Sequence, residues 1–299
     1  MLLPLINTKD ANETIENLKN FYENDFIPPE KKNYLTDLKN CIGPYLGIKS
    51  SDDKTHYILD AASQIATLGH GFNSPIYFGT STFIESWLND TNSEEFFNLK
   101  NAYREFFKRK LNWKNVSIQF SNSGAEANEI ALGNCYKNRI HKNANKVLAF
   151  EGSFHGRMMV TLAATWNKSK REPFEWKDYL AEYVRYPETK GPIIQLKISE
   201  EWKKFWSHSS LKNFKVKNEW LLDNELKNEI EILLEVRKKI LSKNIFAILI
   251  EPMQCEGGDC YSTNRFHTAL LLMAKCFKIP VIFDEVQTGF NLGKEFFLA

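Results

Sequence analysis

Val281-Ile282-Phe283-Asp284-Glu285-Val286-Gln287-Thr288-Gly289 is the stretch on which the reading of the fold turns. Three apolar residues after Pro280 run into an acid, and a loop ending in glycine follows. A short run of β-branched and aromatic residues reads as a buried strand of an α/β sheet. Asp284 then stands at the carboxyl end of that strand, the edge at which open α/β sheets bind ligands. A carboxylate buried there is costly without a partner, so something cationic is expected to meet it.

The pattern recurs upstream. Residues 245–250, Ile-Phe-Ala-Ile-Leu-Ile, read as a second buried strand, with Glu251-Pro-Met-Gln-Cys-Glu-Gly-Gly-Asp259 as its loop. Lys146-Val-Leu-Ala-Phe150 reads as a third, followed by the turn Glu151-Gly-Ser-Phe-His-Gly-Arg157. Residues 116–120 alternate like a strand, and 183–184 suit a short one. Helices are expected over 94–110, after the 121–128 stretch to about 139 and from about 264 to 277, with helical periodicity also at 222–234. In the second of these, Ala127, Ala131 and Cys135 form a small-residue strip suited to packing on a sheet. Strands alternating with helices and ending in glycine-bearing loops predict a three-layer αβα fold around a mostly parallel sheet. Residues 1–75 read as an N-terminal segment belonging to a smaller domain and an active-site loop. Residues 76–299 read as the large domain, with a Lys-, Glu- and Trp-rich insertion at 190–243.

Composition narrows the class. The 299 residues carry a net charge of +2, too balanced for nucleic acid or an anionic membrane as the main partner. No apolar run approaches the roughly 20 residues of a membrane span. Residues 1–10 lack the basic start of a signal peptide, and Asp10, Glu13 and Glu16 argue against an organellar transit peptide, which points to the cytoplasm. Five cysteines without CxxC spacing fit free thiols in a reducing compartment. No His/Cys/carboxylate cluster has the spacing of a metal site. The acid at 284 resembles that of a P-loop ATPase, but no GxxxxGK[ST] precedes it. Neither GxGxxG nor the GxSxG of a hydrolase is present.

Three further motifs carry chemistry. Ser123-Gly124-Ala125-Glu126 lies at a helix start, where free N–H groups and the helix dipole bind phosphate. The same residues fit a capping box, and one helix end can serve both purposes. Phe154 or His155 offers a stacking surface for a planar cofactor, and Arg157 a two-point grip for a carboxylate. The bland alternative there is core packing with a surface arginine. Asp259, beside two glycines, reads as a turn acid.

Taken together, Asn-Ser-Gly-Ala-Glu-Ala-Asn at 122–128, Phe-His-Gly-Arg at 154–157, Glu-Pro-Met-Gln-Cys-Glu-Gly-Gly at 251–258 and Asp-Glu-Val-Gln-Thr-Gly at 284–289 resemble a class III, pyridoxal phosphate (PLP)-dependent aminotransferase. The four motifs stand in that family's order, and the likeness runs from about residue 57 onward. It implies that Asp284 pairs with the pyridine nitrogen of PLP, that Val286 presses on the ring and that Gln287 meets the phenolic oxygen. Ser123, Gly124 and Ala125 would hold the phosphate, and Phe154 would cover the other ring face with His155 nearby. Ser63-Gln64-Ile65 and Gly257-Gly258-Asp259 are similar to 4-aminobutyrate and lysine 6-aminotransferases. That likeness puts Ile65, Arg157 and Glu256 on the substrate side, with Arg157 binding a distal carboxylate. Amino acids and 2-oxo acids such as 2-oxoglutarate are then the expected substrates, and a homodimer the expected assembly.

One departure is expected to matter. The family's Schiff-base lysine lies a βα unit beyond the Asp284 motif, about 30 residues, and Lys294 matches a non-catalytic loop lysine. The nucleophile, the arginine that partners Glu256, the C-terminal small domain and a phosphate contact from the other subunit are all expected downstream of Ala299. The rival readings are an aminomutase or decarboxylase of the same fold, and a non-catalytic chain that binds PLP without turnover.

Overall fold

The computed structural model describes residues 35–49, 54–61, 71–74, 94–172, 180–189, 196–207 and 216–289. Ile65, Lys294 and the expected domain boundary at 75 lie outside them. The chain divides into two compact units, Met1–Ala102 and Tyr103–Ala299.

In the first unit, β1 (Leu35–Thr36), β2 (Tyr45–Lys49) and β3 (Thr55–Leu59) form an antiparallel sheet in that order. Its register sets Tyr45 opposite Leu59 and Lys49 opposite Thr55. Cys41, almost fully buried, seals its base, accepting the Gly47 N–H at 3.2 Å and donating to Asp37 O.

After α1 (Glu94–Leu111), the second unit runs through α2 (Gly124–Lys137), β4 (Lys146–Phe150), α3 (Met159–Ala163), α4 (Lys168–Arg171) and β5 (Leu180–Val184). It continues with α5 (Glu200–Trp206), a 3₁₀ turn at Asn218–Leu221, α6 (Asn224–Leu241) and β6 (Ile245–Ile250). The hairpin β7 (Met253–Gln254) and β8 (Cys260–Tyr261) follows, then α7 (Asn264–Phe277) and β9 (Val281–Phe283). The sheet order is β5-β4-β6-β9, every pair parallel. All six residues of β6 are buried because both faces are covered, which is why it reads as an unbroken apolar run. Leu148, Phe150, Ile248 and Ile250 pack on the side of α5, α6 and α7; Val147, Ala149, Ala247 and Leu249 pack on the side of α2. This is the expected three-layer αβα arrangement.

Three local readings need correction. Residues 116–119 keep their alternation, with Val116 and Ile118 half-buried and Ser117 and Gln119 exposed, but Phe120 breaks it by being exposed, and the segment pairs with no strand among the described residues. Period-two patterning makes a segment ready for a ladder but does not supply the ladder's partner. The sheet-facing stripe of α2 is Asn128, Leu132 and Cys135, and Ala127 is exposed. Cys135 is common to the expected and the observed faces, while Asn128 and Leu132 take the inward places expected of Ala127 and Ala131, and the Asn128 amide is satisfied there by Asp284. The loop after Glu251 also contains the short antiparallel hairpin β7–β8.

The described part of 190–243 is integral to the core. Trp202, Trp206, Ile230, Leu233, Val236 and Ile240 are all buried there. Along α6, Ile230, Leu233, Val236 and Ile240 recur at helical spacing, and Asp223 caps the helix start through the N–H groups of Glu225 and Leu226. Burying each such side chain contributes about 1.5–3 kcal/mol. Inside this core Glu229 is matched by Thr263 Oγ1 at 2.6 Å and Arg265 Nε at 2.8 Å.

Candidate functional site

Asp284 follows β9 directly, and the ladder carries on through it: its N–H donates to Ile250 O at 2.8 Å. The side chain is 7% exposed and is held from three directions. Asn128 Nδ2, from α2, donates to Oδ2 at 2.8 Å. His155 Nδ1 meets the same oxygen at 2.8 Å. The other oxygen, Oδ1, has only the Val286 N–H, at 3.2 Å. The acid is thus fixed through one oxygen while the second is loosely held.

Asn128 and His155 are also tied to each other, since Asn128 Nδ2 reaches His155 O at 3.1 Å. The His155 N–H donates to Thr165 Oγ1 at 3.1 Å, and that hydroxyl lies 3.0 Å from Gly156 O. The His155 ring is therefore committed edge-on to Asp284, and Phe154, half-buried, is the residue left to offer a ring face. His155 Nε2 is buried with no partner among the described residues.

The turn at Phe154–Arg157 presses on the start of α2. Gly156 has φ +128°, and a Cβ there would fall 2.6 Å from Ala125 Cβ. A Cβ on Gly124 would fall 2.2 Å from Val286 Cγ2, so the loop after β9 touches the same helix start. Ser123 caps α2 by accepting the Glu126 N–H at 3.2 Å. The Glu126 carboxylate closes on the Asn122 N–H at 2.7 Å, one residue before the capping-box position. The first intrahelical donor is Ala127, so the N–H groups of Gly124 and Ala125 precede the helical ladder at the positive end of the dipole.

At the mouth, Glu256 forms an ion pair with Lys170 of α4, whose ammonium lies 4.9 Å from the Phe154 ring centroid. The expected partner of Glu256 was an arginine farther along the chain; in the described structure its cation is Lys170. Arg157 is exposed. Gln287 is half-buried. Glu251, at the end of β6, is 8% exposed and accepts the Phe154 N–H at 3.0 Å. Burial, reinforced by the nearby Asp284 carboxylate, pushes its pKa well above the ordinary carboxyl range.

A cavity of about 280 Å³ lies elsewhere, between α2, α3 and β5, lined by residues such as Leu132, Tyr136, Val147 and Phe246. Its acid, Glu129, is occupied in capping α3 through the N–H groups of Val160 and Thr161. The reactive groups gather at Asp284 instead. Among the described residues no group of His, Cys, Asp or Glu is arranged to hold a metal, and no helix is long and apolar enough to cross a membrane.

Comparison with known proteins gives the family. The family description "Aminotransferase class-III" matches residues 28–298. The chain belongs to the class III aminotransferases. Among relatives of this aminotransferase chain is the mitochondrial acetylornithine aminotransferase of Candida glabrata, 31% identical over 258 residues, covering 83% of this chain and 51% of that protein. The 4-aminobutyrate aminotransferase of Dictyostelium discoideum is 23% identical over 310 residues, covering 91% and 55% respectively. A solved lysine aminotransferase from M. tuberculosis superposes with a TM-score of 0.64 at 22% identity, over 93% of this chain and 61% of that one. The chain spans about half the length of these two curated relatives.

Sequence reasoning named Asp284, Ser123, Gly124, His155 and Phe154, which the fold brings to one neighbourhood. It missed the roles of Asn128, Glu251, Thr165 and Lys170. Asn128 left one usable signal: a polar residue four before Leu132 on the buried stripe must have partners. Lys170 left none, because its part depends on where α4 sits.

Proposed function

We propose that this chain carries the PLP site of an aminotransferase acting on ω-amino acids with 2-oxoglutarate as acceptor. One observation carries the reading. Asp284 is buried at the carboxyl edge, anchored through Oδ2 by Asn128 and His155, with Oδ1 held only by a single long backbone contact. That is the arrangement needed by a carboxylate that faces the protonated nitrogen of a heteroaromatic ring.

The neighbouring residues fit the cofactor. Asn128 lies five residues along α2 from Ser123, roughly 7 Å of helix, so the acid and the helix start are spaced like the two ends of a phosphorylated pyridine. Gly124 and Ala125 would hold the phosphate with their N–H groups, joined by the Ser123 hydroxyl, and Phe154 would cover the ring. Val286 and Gln287 follow Asp284 on the loop that touches Gly124, from which they would meet the ring and its phenolic oxygen. When bound, PLP supplies an electron sink for the substrate carbanion. Asp284 keeps the ring nitrogen protonated, and Asn128 and His155 keep Asp284 aimed.

Arg157, exposed at the lip, would grip a substrate carboxylate, with Glu256 on the same side of the site. The named substrates of the relatives, acetylornithine and 4-aminobutyrate, support an ω-amino donor. The complete protein would work as a homodimer in a reducing, cytoplasmic setting. The test is amino transfer by the complete protein from 4-aminobutyrate, lysine or N-acetylornithine to 2-oxoglutarate, followed as glutamate formed. Turnover with at least one donor is expected. PLP binding without glutamate from any of the three would refute the ω-amino reading while leaving the cofactor site standing.

A further inference from the structure

Two buried acids, not one, stand side by side at the carboxyl edge of the sheet. β6 and β9 are parallel neighbours with Ile250 opposite Phe283, so Glu251 and Asp284 leave the sheet side by side. Asp284 is met by three donors, as above. Glu251 is differently placed. Among the described residues no cation pairs with it, and its carboxyl has one hydrogen bond, from the Phe154 N–H to Oε2 at 3.0 Å. Its main chain is anchored separately, because Tyr186 OH donates to Glu251 O at 3.0 Å and to Pro252 O at 2.8 Å. The carboxyl is free to serve the Phe154 turn alone.

A buried acid with one donor and no cation has a poor reason to persist as a structural ion. The charged groups around it deepen the puzzle, since both Asp284 and Glu256 oppose its ionisation. A neutral carboxyl resolves it: it still accepts the Phe154 N–H and adds no second negative charge beside Asp284.

We propose that Glu251 is a positioning residue, whose carboxyl clamps the Phe154 backbone and so fixes the ring that covers the cofactor. This rests on the PLP reading above, but the clamp itself is a property of the chain. Phe154 is flanked by residues fixed on other grounds: Ser153 Oγ donates to Ala164 O and His155 is bound to Thr165 and Asp284. Phe154 has no such tether of its own except Glu251 and the cation over its ring. Loss of the clamp should leave the turn in place and let the aromatic ring wander.

The experiment compares Glu251→Gln, which keeps an acceptor for the N–H, with Glu251→Leu, which removes it at similar size. Amide hydrogen exchange of Phe154 is read in the protein without added PLP, and PLP affinity by titration. The clamp predicts that Glu251→Gln stays within about threefold of wild type in both. It predicts that Glu251→Leu exchanges the Phe154 amide at least tenfold faster and binds PLP at least tenfold more weakly. Added to Phe154→Leu, the Glu251→Leu change should weaken binding no further, because both act through one ring. Unchanged exchange in Glu251→Leu overturns the clamp whatever the cofactor result. Faster exchange with unchanged PLP affinity overturns the link to the ring. A wild-type chain that shows the protected amide but takes up no PLP would sink the cofactor reading instead.

Discussion

Replacing Gly156 with alanine should be among the most damaging single-methyl changes in the second unit. The added Cβ would lie 2.6 Å from Ala125 Cβ, 3.0 Å from Ala125 Cα and 3.0 Å from Thr161 Oγ1, with backbone or buried atoms on every side. Overpacking of this kind costs about 1–3 kcal/mol. The φ of +128° is open to glycine and strained for alanine, which adds about 1–3 kcal/mol. Together these come to about 4 kcal/mol, against a typical domain stability of about 5–15 kcal/mol. For a unit near 200 residues that lowers Tm by roughly 8–16 °C. Denaturant unfolding of wild type and variant gives the difference directly, with an unchanged m-value if the unfolded state is the same. The two costs are separable. Ala125→Gly removes the facing Cβ but leaves the strain, so the double variant should regain about half the loss, a coupling of about 1–2 kcal/mol. If Gly156→Ala unfolds within about 0.5 kcal/mol of wild type, the turn is not pressed on the helix start, and the geometry assigned to the phosphate end of the site fails.

Buried acid and base groups give pH signatures of opposite sense. Burial lowers His267 to about 4, so the unfolded chain binds the extra proton between about 6.5 and 4, and stability is lost as pH falls through that window. The loss reaches about 3 kcal/mol at most, and His267→Gln should flatten it in denaturant titrations at pH 4, 5 and 7. Glu251 is raised instead, so its contribution is full below the ordinary carboxyl pKa and is lost as pH rises toward the folded value. Glu251→Gln should remove that decline in Tm with rising pH; a decline that persists unchanged would assign it to another group. Ile248→Ala, in the middle of the fully buried strand, should cost about 2–5 kcal/mol in the same unfolding assay. Lys170→Ala breaks a half-exposed pair with Glu256 and should change stability by no more than about 1 kcal/mol.

The parts of this fold that could be read in the chain are those whose burial leaves a linear trace. β6 and β9 are apolar because both faces are covered, and Asp284 ends such a run, so strand, edge and acid came together from one pattern. Helix α2 is marked in the sequence by Ser123 at its cap, and α7 by its apolar periodicity. What escaped was whatever depends on a partner distant in sequence. Residues 116–120 have a strand's alternation but no ladder among the described residues. Ala127 has the size of a packing residue, but Asn128 turns inward instead, toward an acid 156 positions away. The site followed the same rule: motif residues were visible one by one, whereas the Glu251 link to Phe154 and the Lys170 bridge to Glu256 exist only after folding.

The account stands on one carboxylate facing one ring nitrogen, and Asp284→Asn tests it with least intervention. Asparagine keeps the size and an oxygen for Asn128 and His155 while removing the charge. PLP titration of the wild-type and Asp284→Asn proteins should show affinity falling about tenfold to a hundredfold, the value of a charge-assisted hydrogen bond. Equal affinity in the two proteins, with the variant folded, would contradict the placement of the cofactor at this edge of the sheet.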